Sequence, residues 1–483
     1  MTYGSLKNLV NGEFVSSATG DEIDVFNPAT DREKIGSVPA MSREEVTRVF
    51  AAAADGAKTW KKTNQLERGR VLLNAAGIIR SHRDELVELI VAEMGKTRTE
   101  ATGEVGKTAE FFEYYGGMGR DGFGDFLADG RPGTFAARII EPIGVVLLIT
   151  PWNDPFLTPA RKLGPALISG NAVVIKPATV TPLITLRLAE ILHEAGLPAG
   201  VLGTVTGRGS DLGDALLEAD GLCAVSFTGS TAVGMGIQAK LAGRGIRVQT
   251  EMGGKNAAVV MDDADLDTAI PTIVAGAFAQ AGQRCTATSR LIVQKGIAGE
   301  VRTRIANAVR ELRVAPGSDE KVDLGPVVDQ GAQKSIRSHV ERAVEQGAEV
   351  IARRELEGAA ATEGSFVEPT FLGITTEHDI WREEVFGPVL GVVEVDTLDE
   401  AIAAVNDSAY GLSSAIFTRD LSTAFRFLEE ADTGQVSINQ PTTGWDIHHP
   451  FGGFKDSGSA FKEQGRDALG FYTRIKAAAI RTH

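Results

Sequence analysis

The stretch GQRCTATSR, Gly282 to Arg290, sets a guanidinium directly before one of only two cysteines in a chain of 483 residues. A cysteine attacks as its thiolate, and a free thiol pKa of about 8.5 falls only near positive charge or a helix N-terminus. Adjacency in sequence does not bring the Arg284 side chain to the sulfur. On this stretch alone, Cys285 reads first as a small residue packed in a turn. A second kind of chemistry lies in AVSFTGSTAVG. There an apolar run ends in Thr228, Gly229 and Ser230 and opens into a helix-compatible segment through Gly234. Such a turn aims backbone N–H groups and a positive helix end at an anion, commonly a phosphate. Lys176 ends another apolar run, VVIK, and ligands of open α/β sheets sit outside the carboxyl ends of the strands. The plain reading of Lys176 is a solvated lysine at a strand end.

The elements that must hold these groups follow from the rhythm of the chain. Strand-like runs (IGVVLLIT, NAVVIKPA, VLGTVTG, AVSFTGS, NAAVVM) alternate with helix-like segments (TPARKLGPALIS, TPLITLRLAEILHEAG). Short apolar strands buried on both faces and separated by helices indicate a parallel, doubly wound sheet. A second α/β set is expected from near Asp262, through SRLIVQ, AIFTRD and GQVSINQ. Upstream, SREEVTRVFAAAADGAKTW is helical in pattern, and one long helical region is expected from Gln65 to about Tyr115. The only literal G-x-G-x-x-G, Gly117 to Gly122, follows a helical pattern instead of a strand and is a decoy. The loop TTGWDIHHPFGGFKDSG is long, aromatic and glycine-rich, as functional loops often are.

Composition narrows the function classes. A net charge of −15 argues against nucleic-acid or anionic-membrane partners, which require a basic face. Two cysteines make no disulfide framework and suit a reducing cytoplasm, the expected location. The longest apolar run, Ile143 to Thr150, is far short of a membrane span, and the first residues show no signal-peptide core. His448 and His449 lack metal-ligand spacing to other ligands, so no metal is expected.

Taken in order, TPWN (150–153), IKPA (175–178), FTGS (227–230), EMGGKN (251–256), GQRC (282–285), EEVFGPV (383–389) and PFGGFKDSG (450–458) resemble the aldehyde dehydrogenase superfamily over essentially the whole chain. The resemblance implies that Cys285 attacks an aldehyde carbon, giving a thiohemiacetal and then, after hydride loss to a nicotinamide, a thioester. Glu251 matches the general base, and Asn153 with the Cys285 N–H matches the oxyanion hole. Lys176 would bind the adenine ribose and Glu384 the nicotinamide ribose. Phe386 and Trp152 would pack in the cofactor site, with Gly229 and Ser230 near the pyrophosphate. A carboxylate at Glu251 implies release of a free acid instead of acyl transfer to coenzyme A. These roles suit the chemistry: hydride leaves only after a nucleophile has made the carbon tetrahedral, the oxyanion needs fixed donors, and thioester hydrolysis needs a base. Each residue also has a plain reading: Glu251 a surface acid, Asn153 a helix N-cap, Glu384 a solvated acid.

The chain departs from the family pattern in two places. Many NAD-preferring relatives carry Glu where Thr179 stands, so the expected cofactor is NADP or both dinucleotides, with a lean to NADP and no exclusion of NAD. At Arg161, in TPARKLGPAL, many relatives with neutral substrates carry an aromatic residue, and those acting on succinic semialdehyde carry arginine. GQRCTATSR is similar to the corresponding stretch of 2-oxoglutarate semialdehyde dehydrogenases. Arg161 and Arg284 are therefore expected to bind the anionic tail of a short semialdehyde, with Phe451, Trp152, Phe156 and Trp445 as tunnel walls. The alternatives are internal ion pairs for the arginines with a neutral or aromatic aldehyde as substrate, a bare esterase, or a non-catalytic binding or structural protein on the same scaffold. Cys223, in GLCAVSF, is expected to be a buried strand residue.

The expected architecture is α/β and aldehyde dehydrogenase-like. A doubly wound cofactor-binding domain spans residues 1–123 and 143–253, and an α/β catalytic domain spans 254–453. A small β oligomerisation element spans 124–142 and 470–483. Strands of that element expose their edges unless a partner subunit covers them, so a homodimer or homotetramer is expected.

Overall fold

The computed structural model describes residues 2–30 and 33–481. Five apolar runs form one all-parallel sheet whose spatial order is Arg247–Glu251, Leu222–Thr228, Val145–Ile149, Ala172–Lys176 and Leu202–Thr204. The central strands Ala172–Lys176 and Val145–Ile149 are buried almost throughout, which explains their unbroken apolar sequence. The chain steps outward from Val145–Ile149 through two strands, then returns to its other side at Leu222–Thr228. That reversal opens a crevice at the carboxyl ends of the strands.

A second sheet has seven strands in the order Glu349–Arg353, Thr370–Gly373, Val389–Val395, Thr288–Gln294, Asn256–Val260, Ser413–Phe417 and Gln435–Ile438. All pairs are parallel except the outermost, Glu349–Arg353 with Thr370–Gly373. Asn256–Val260 lies at the interior of this sheet, so NAAVVM does not continue the first series and the second set starts before Asp262. The chain passes from Glu251, the end of an edge strand of one sheet, to Asn256, the start of an interior strand of the other. An apolar run buried on both faces looks alike in either sheet, which is why its membership was not readable.

The expected long helical region is three helices, Gln65–Ser81, Arg83–Met94 and Arg98–Gly117. Gly95 ends the second with φ 85°, a left-handed cap, and Thr97 and Glu100 form a reciprocal capping box that starts the third. The break turns Lys96 into the interior, 3% exposed. Gly117 to Gly122 spans the end of the third helix and a short 3-10 turn, with no strand before it. Gly124–Leu127, Thr134–Pro142 and Thr473–Arg481 form a separate antiparallel sheet, the last two paired along their whole length. Phe126 and Ile475 on this sheet are 81% and 67% exposed. Of the segment 470–483, residues 482–483 lie outside the described residues. Among the described residues no helix is long and apolar enough to cross a membrane. Cys223 lies in the strand Leu222–Thr228 as expected but is partly exposed, its thiol donating to the Gly221 carbonyl.

Asn171 fastens the start of this arrangement. Its Oδ1 accepts from the Ile143 and Gly144 N–H groups at 2.8 and 3.0 Å, and its Nδ2 donates to the Ala166 and Tyr472 carbonyls at 3.1 and 2.9 Å. The residue is fully buried, so water cannot replace it. Asn171→Ala is expected to destabilise the fold by about 2–4 kcal/mol, read as a lower urea midpoint; a wild-type midpoint contradicts that assignment.

Candidate active site

The carboxyl ends of the five-stranded sheet face the amino ends of the seven-stranded one across a cavity of about 830 Å³. Its lining includes Trp152, Lys176, Thr179, Gly229, Ser230, Glu384 and Phe386. Asn153, Arg161, Arg284, Cys285 and Phe451 line it as well. Glu251 does not: it is 2% exposed, at the end of its strand behind the wall. Trp445 is a wall residue, whereas Phe156 is wholly buried in the core and is not. Phe156 precedes the helix Leu157–Ile168, so its ring is packed away while its backbone opens the helix.

Cys285 stands on a turn between the helix Leu266–Phe278 and the strand Thr288–Gln294. Gln280, Ala281 and Gly282 are successively left-handed, with φ of 57°, 52° and 69°. A Cβ on Gly282 would lie 2.1 Å from the Gly387 carbonyl oxygen, so only glycine fits there. Non-glycine residues in this region cost energy and persist where their surroundings force them. Glu100 Oε1 accepts from the Gln280 N–H at 2.5 Å within that stretch, and the residues after it are held by Asn256 Nδ2, which donates to the Cys285 and Ala287 carbonyls at 2.8 and 2.9 Å, and by Thr442 Oγ1, which donates to Thr286 O at 2.7 Å. Burial pushes the Cys285 thiol up, and the cation that pulls it back is Arg161.

Asn153 is no helix cap. Its Nδ2 donates to Gln283 O at 3.0 Å, which leaves its second amide hydrogen beside the nucleophile turn. The following residue, Asp154, pairs with Lys96 at 2.6 Å, and Lys96 also pairs with Glu104 at 2.6 Å. Burial works against the Lys96 charge, but Asp154 and Glu104 outweigh it and hold its pKa above the ordinary lysine value. Glu104 Oε1 accepts from the Phe156 and Leu157 N–H groups, capping the helix that carries Arg161.

Glu251 Oε1 accepts from Gln249 Nε2 at 3.0 Å, and its Oε2 is buried without a partner. Burial pushes this carboxyl well above its ordinary range, with the Glu463 charge adding and Lys162, Lys462 and Arg161 pulling back. A Cβ on Gly452 would sit 2.6 Å from Glu251 Oε1, so glycine there makes room for the carboxyl group. A carboxyl group raised in this way holds a proton more tightly than a solvated acid.

At the other end, Lys176 is 6% exposed, and among the described residues its ammonium donates to the Pro177 carbonyl, at 3.1 Å. Burial lowers its pKa to about 8. Thr179 Oγ1 donates to Gly207 O at 3.3 Å, which places exposed Arg208 next to this end of the cavity. The helix Thr231–Leu241 begins at Ser230, aiming N–H groups across the crevice. Glu384 is no solvated acid: its Oε1 accepts from the Gly254 N–H at 2.8 Å, and burial raises its pKa to about 7. Trp152 and Phe386 meet edge to face, ring centroids 5.4 Å apart. A phosphate-type helix end, a buried ammonium lacking a carboxylate and an acid able to accept from hydroxyls fit a dinucleotide.

Arg161 does pair with an internal acid: Nη1 donates to Glu463 at 3.1 Å. Glu463 is fully buried and also pairs with the buried Lys162, so one carboxylate serves two cations. Arg161 Nε is buried without a partner among the described residues, and its guanidinium lies over Phe451, 4.5 Å from the ring centroid. Arg284 forms no ion pair among the described residues; its Nε donates to Gln280 Oε1 at 2.9 Å. Gln280, Asn256, Glu463 and Lys162 were not singled out from sequence. Lys162 offered one signal, a second basic residue beside Arg161 in a largely apolar helix.

The chain matches the model of the aldehyde dehydrogenase family over residues 14–478. It is 41% identical to an alpha-ketoglutarate semialdehyde dehydrogenase of Haloferax volcanii, over 97% of each chain. It is 39% identical to an alpha-ketoglutaric semialdehyde dehydrogenase of Bacillus subtilis, over 98% of each. In structure it resembles a betaine aldehyde dehydrogenase from Staphylococcus aureus in complex with NAD+, with a TM-score of 0.95, 32% identity, and coverage of 99% of this chain and 95% of that one. With the family model matching residues 14–478, and with Cys285 in the wall of a crevice that fits a dinucleotide, the chain belongs to the aldehyde dehydrogenase family.

Proposed function

We propose that the protein oxidises a short anionic semialdehyde, of the 2-oxoglutarate or succinic semialdehyde type, to the free acid. The observation that carries this is the Arg161 guanidinium, held over Phe451 with one edge unpartnered, in the cavity that contains Cys285. Two relatives named for alpha-ketoglutarate semialdehyde support the substrate class. The Cys285 thiolate attacks the aldehyde carbon, and the carbonyl electron pair moves to oxygen, where the Asn153 amide and the Cys285 N–H stabilise it. A bound nicotinamide dinucleotide supplies the acceptor for the hydride that this tetrahedral carbon gives up. The thioester left on Cys285 is then attacked by water, whose proton Glu251 takes; the carbon–sulfur bond breaks, and the acid and thiolate separate. The Arg161–Glu463 pair favours one rival, a neutral or aromatic aldehyde as substrate. The exposed three-stranded sheet seats a second copy of the chain, so the enzyme works as a homodimer or homotetramer.

At the adenosine end, Lys176 and Glu384 hold the two riboses, and the neutral Thr179 beside Arg208 admits a 2′-phosphate, so NADP serves alongside or ahead of NAD.

Arg161→Leu is expected to lower the ratio of kcat/KM for 2-oxoglutarate semialdehyde over hexanal by about 10- to 100-fold, the value of a charge-assisted contact. An unchanged ratio favours the rival. Thr179→Glu, by like-charge repulsion, is expected to lower kcat/KM for NADP relative to NAD by about tenfold or more; equal use of both by the variant contradicts the assignment. Glu384 accepts ribose hydroxyls most strongly when ionised, because a carboxylate is a stronger acceptor than its neutral acid. As pH falls through about 7 it takes up a proton, so the KM for cofactor rises on the acid side. In Glu384→Gln that rise is absent; a rise of the same size in the variant places its cause elsewhere.

A further inference from the structure

Arg161 and Arg284 are held in opposite ways. Arg161 is anchored by a carboxylate, which offsets part of its charge. Arg284 is anchored by the side-chain carbonyl of Gln280, a neutral acceptor. The orientation of that amide is set by its surroundings. Gln280 Nε2 faces three acceptors, Asn153 O at 2.6 Å and Asp154 Oδ1 and Gln283 O at 3.4 Å, while Oε1 faces the Arg284 Nε donor. The backbone is fixed as well: the Gln280 N–H donates to Glu100 Oε1 at 2.5 Å, and the residue is 3% exposed in a left-handed conformation. A neutral acceptor orients a guanidinium without pairing with it, so among the described residues the Nη edge makes no ion pair and faces only the more distant charge of Asp154.

We infer that Gln280 is a specificity-determining positioning residue: it holds Arg284 by Nε, fully charged, against the substrate's anionic tail, and ties that grip to the Asn153 loop. The inference rests on the anionic-substrate reading above. A glutamate at 280 keeps the acceptor but neutralises Arg284 and removes the donor to Asn153 O. A lysine at 284 keeps the charge but lacks the Nε that Gln280 orients.

The test compares kcat/KM for 2-oxoglutarate semialdehyde and for hexanal in the full-length enzyme. The variants are Arg284→Met, Gln280→Glu, their double variant and Arg284→Lys. Gln280→Glu is expected to lower the acidic-to-neutral ratio about tenfold through KM for the acidic aldehyde, while kcat falls with both aldehydes through Asn153. In the Arg284→Met background the same change leaves the ratio where Arg284→Met alone set it, because the two residues act as one unit. Arg284→Lys, which does not disturb the turn, loses most of the preference. If Arg284→Met leaves the wild-type ratio, the anionic-substrate reading itself fails. If Arg284→Met lowers the ratio but Gln280→Glu or Arg284→Lys keeps it, the role of Gln280 is overturned and the substrate reading stands. A fall in kcat alone, equal for both aldehydes, reduces Gln280 to a structural residue and overturns the inference too.

Discussion

The Lys96 ammonium, buried between Glu104 and Asp154, is the interaction on which the site depends. Through Glu104 it caps the helix that carries Arg161 and Lys162, and through Asp154 it fixes the residue after Asn153. Glu100, one turn before Glu104 on the helix Arg98–Gly117, holds the backbone of Gln280. Asn153, the turn that carries Cys285 and the helix that carries Arg161 are therefore referred to one short segment, Lys96 to Glu104. Removing one partner of such a buried pair typically costs roughly 3–5 kcal/mol, because the charge left behind has no solvent. Few surface changes carry a comparable penalty.

Charge is distributed around the cavity with similar restraint. Lys162 and Arg161 share Glu463, whose carboxyl they hold below its ordinary range against the pull of burial. Glu251 is raised by the same burial and by Glu463. Two acids in one buried cluster are thus driven apart: the two cations hold Glu463 low as their counter-ion, and burial holds Glu251 high. Such a split separates structural from acid–base roles within a single pocket.

The parts visible in the sequence were those whose chemistry is local. Alternating apolar runs announced a parallel sheet, and Thr228 to Ser230 announced the helix end at the crevice. The motif order around Cys285, Glu251 and Asn153 identified the family. Gln280 was hidden because its role depends on a left-handed backbone that no neighbouring residue type advertises. Glu463 lies in FKEQG, a stretch without periodicity, and meets Arg161 only through the fold. Asn256–Val260 shows why strand membership is harder than strand existence, since burial on both faces leaves the same signature in either sheet. Phe156 was placed in the tunnel because aromatic residues flank the site, yet the helix start turns its ring into the core.

The most direct test of the account is a single-turnover experiment with Glu251→Gln, 2-oxoglutarate semialdehyde and NADP. Reduced nicotinamide would be followed by absorbance, and the Cys285 peptide by mass spectrometry. The account predicts a burst of reduced cofactor close to one per subunit, an acyl group retained on Cys285 and slow turnover afterwards. Turnover at the wild-type rate with no acyl group on Cys285 would contradict it.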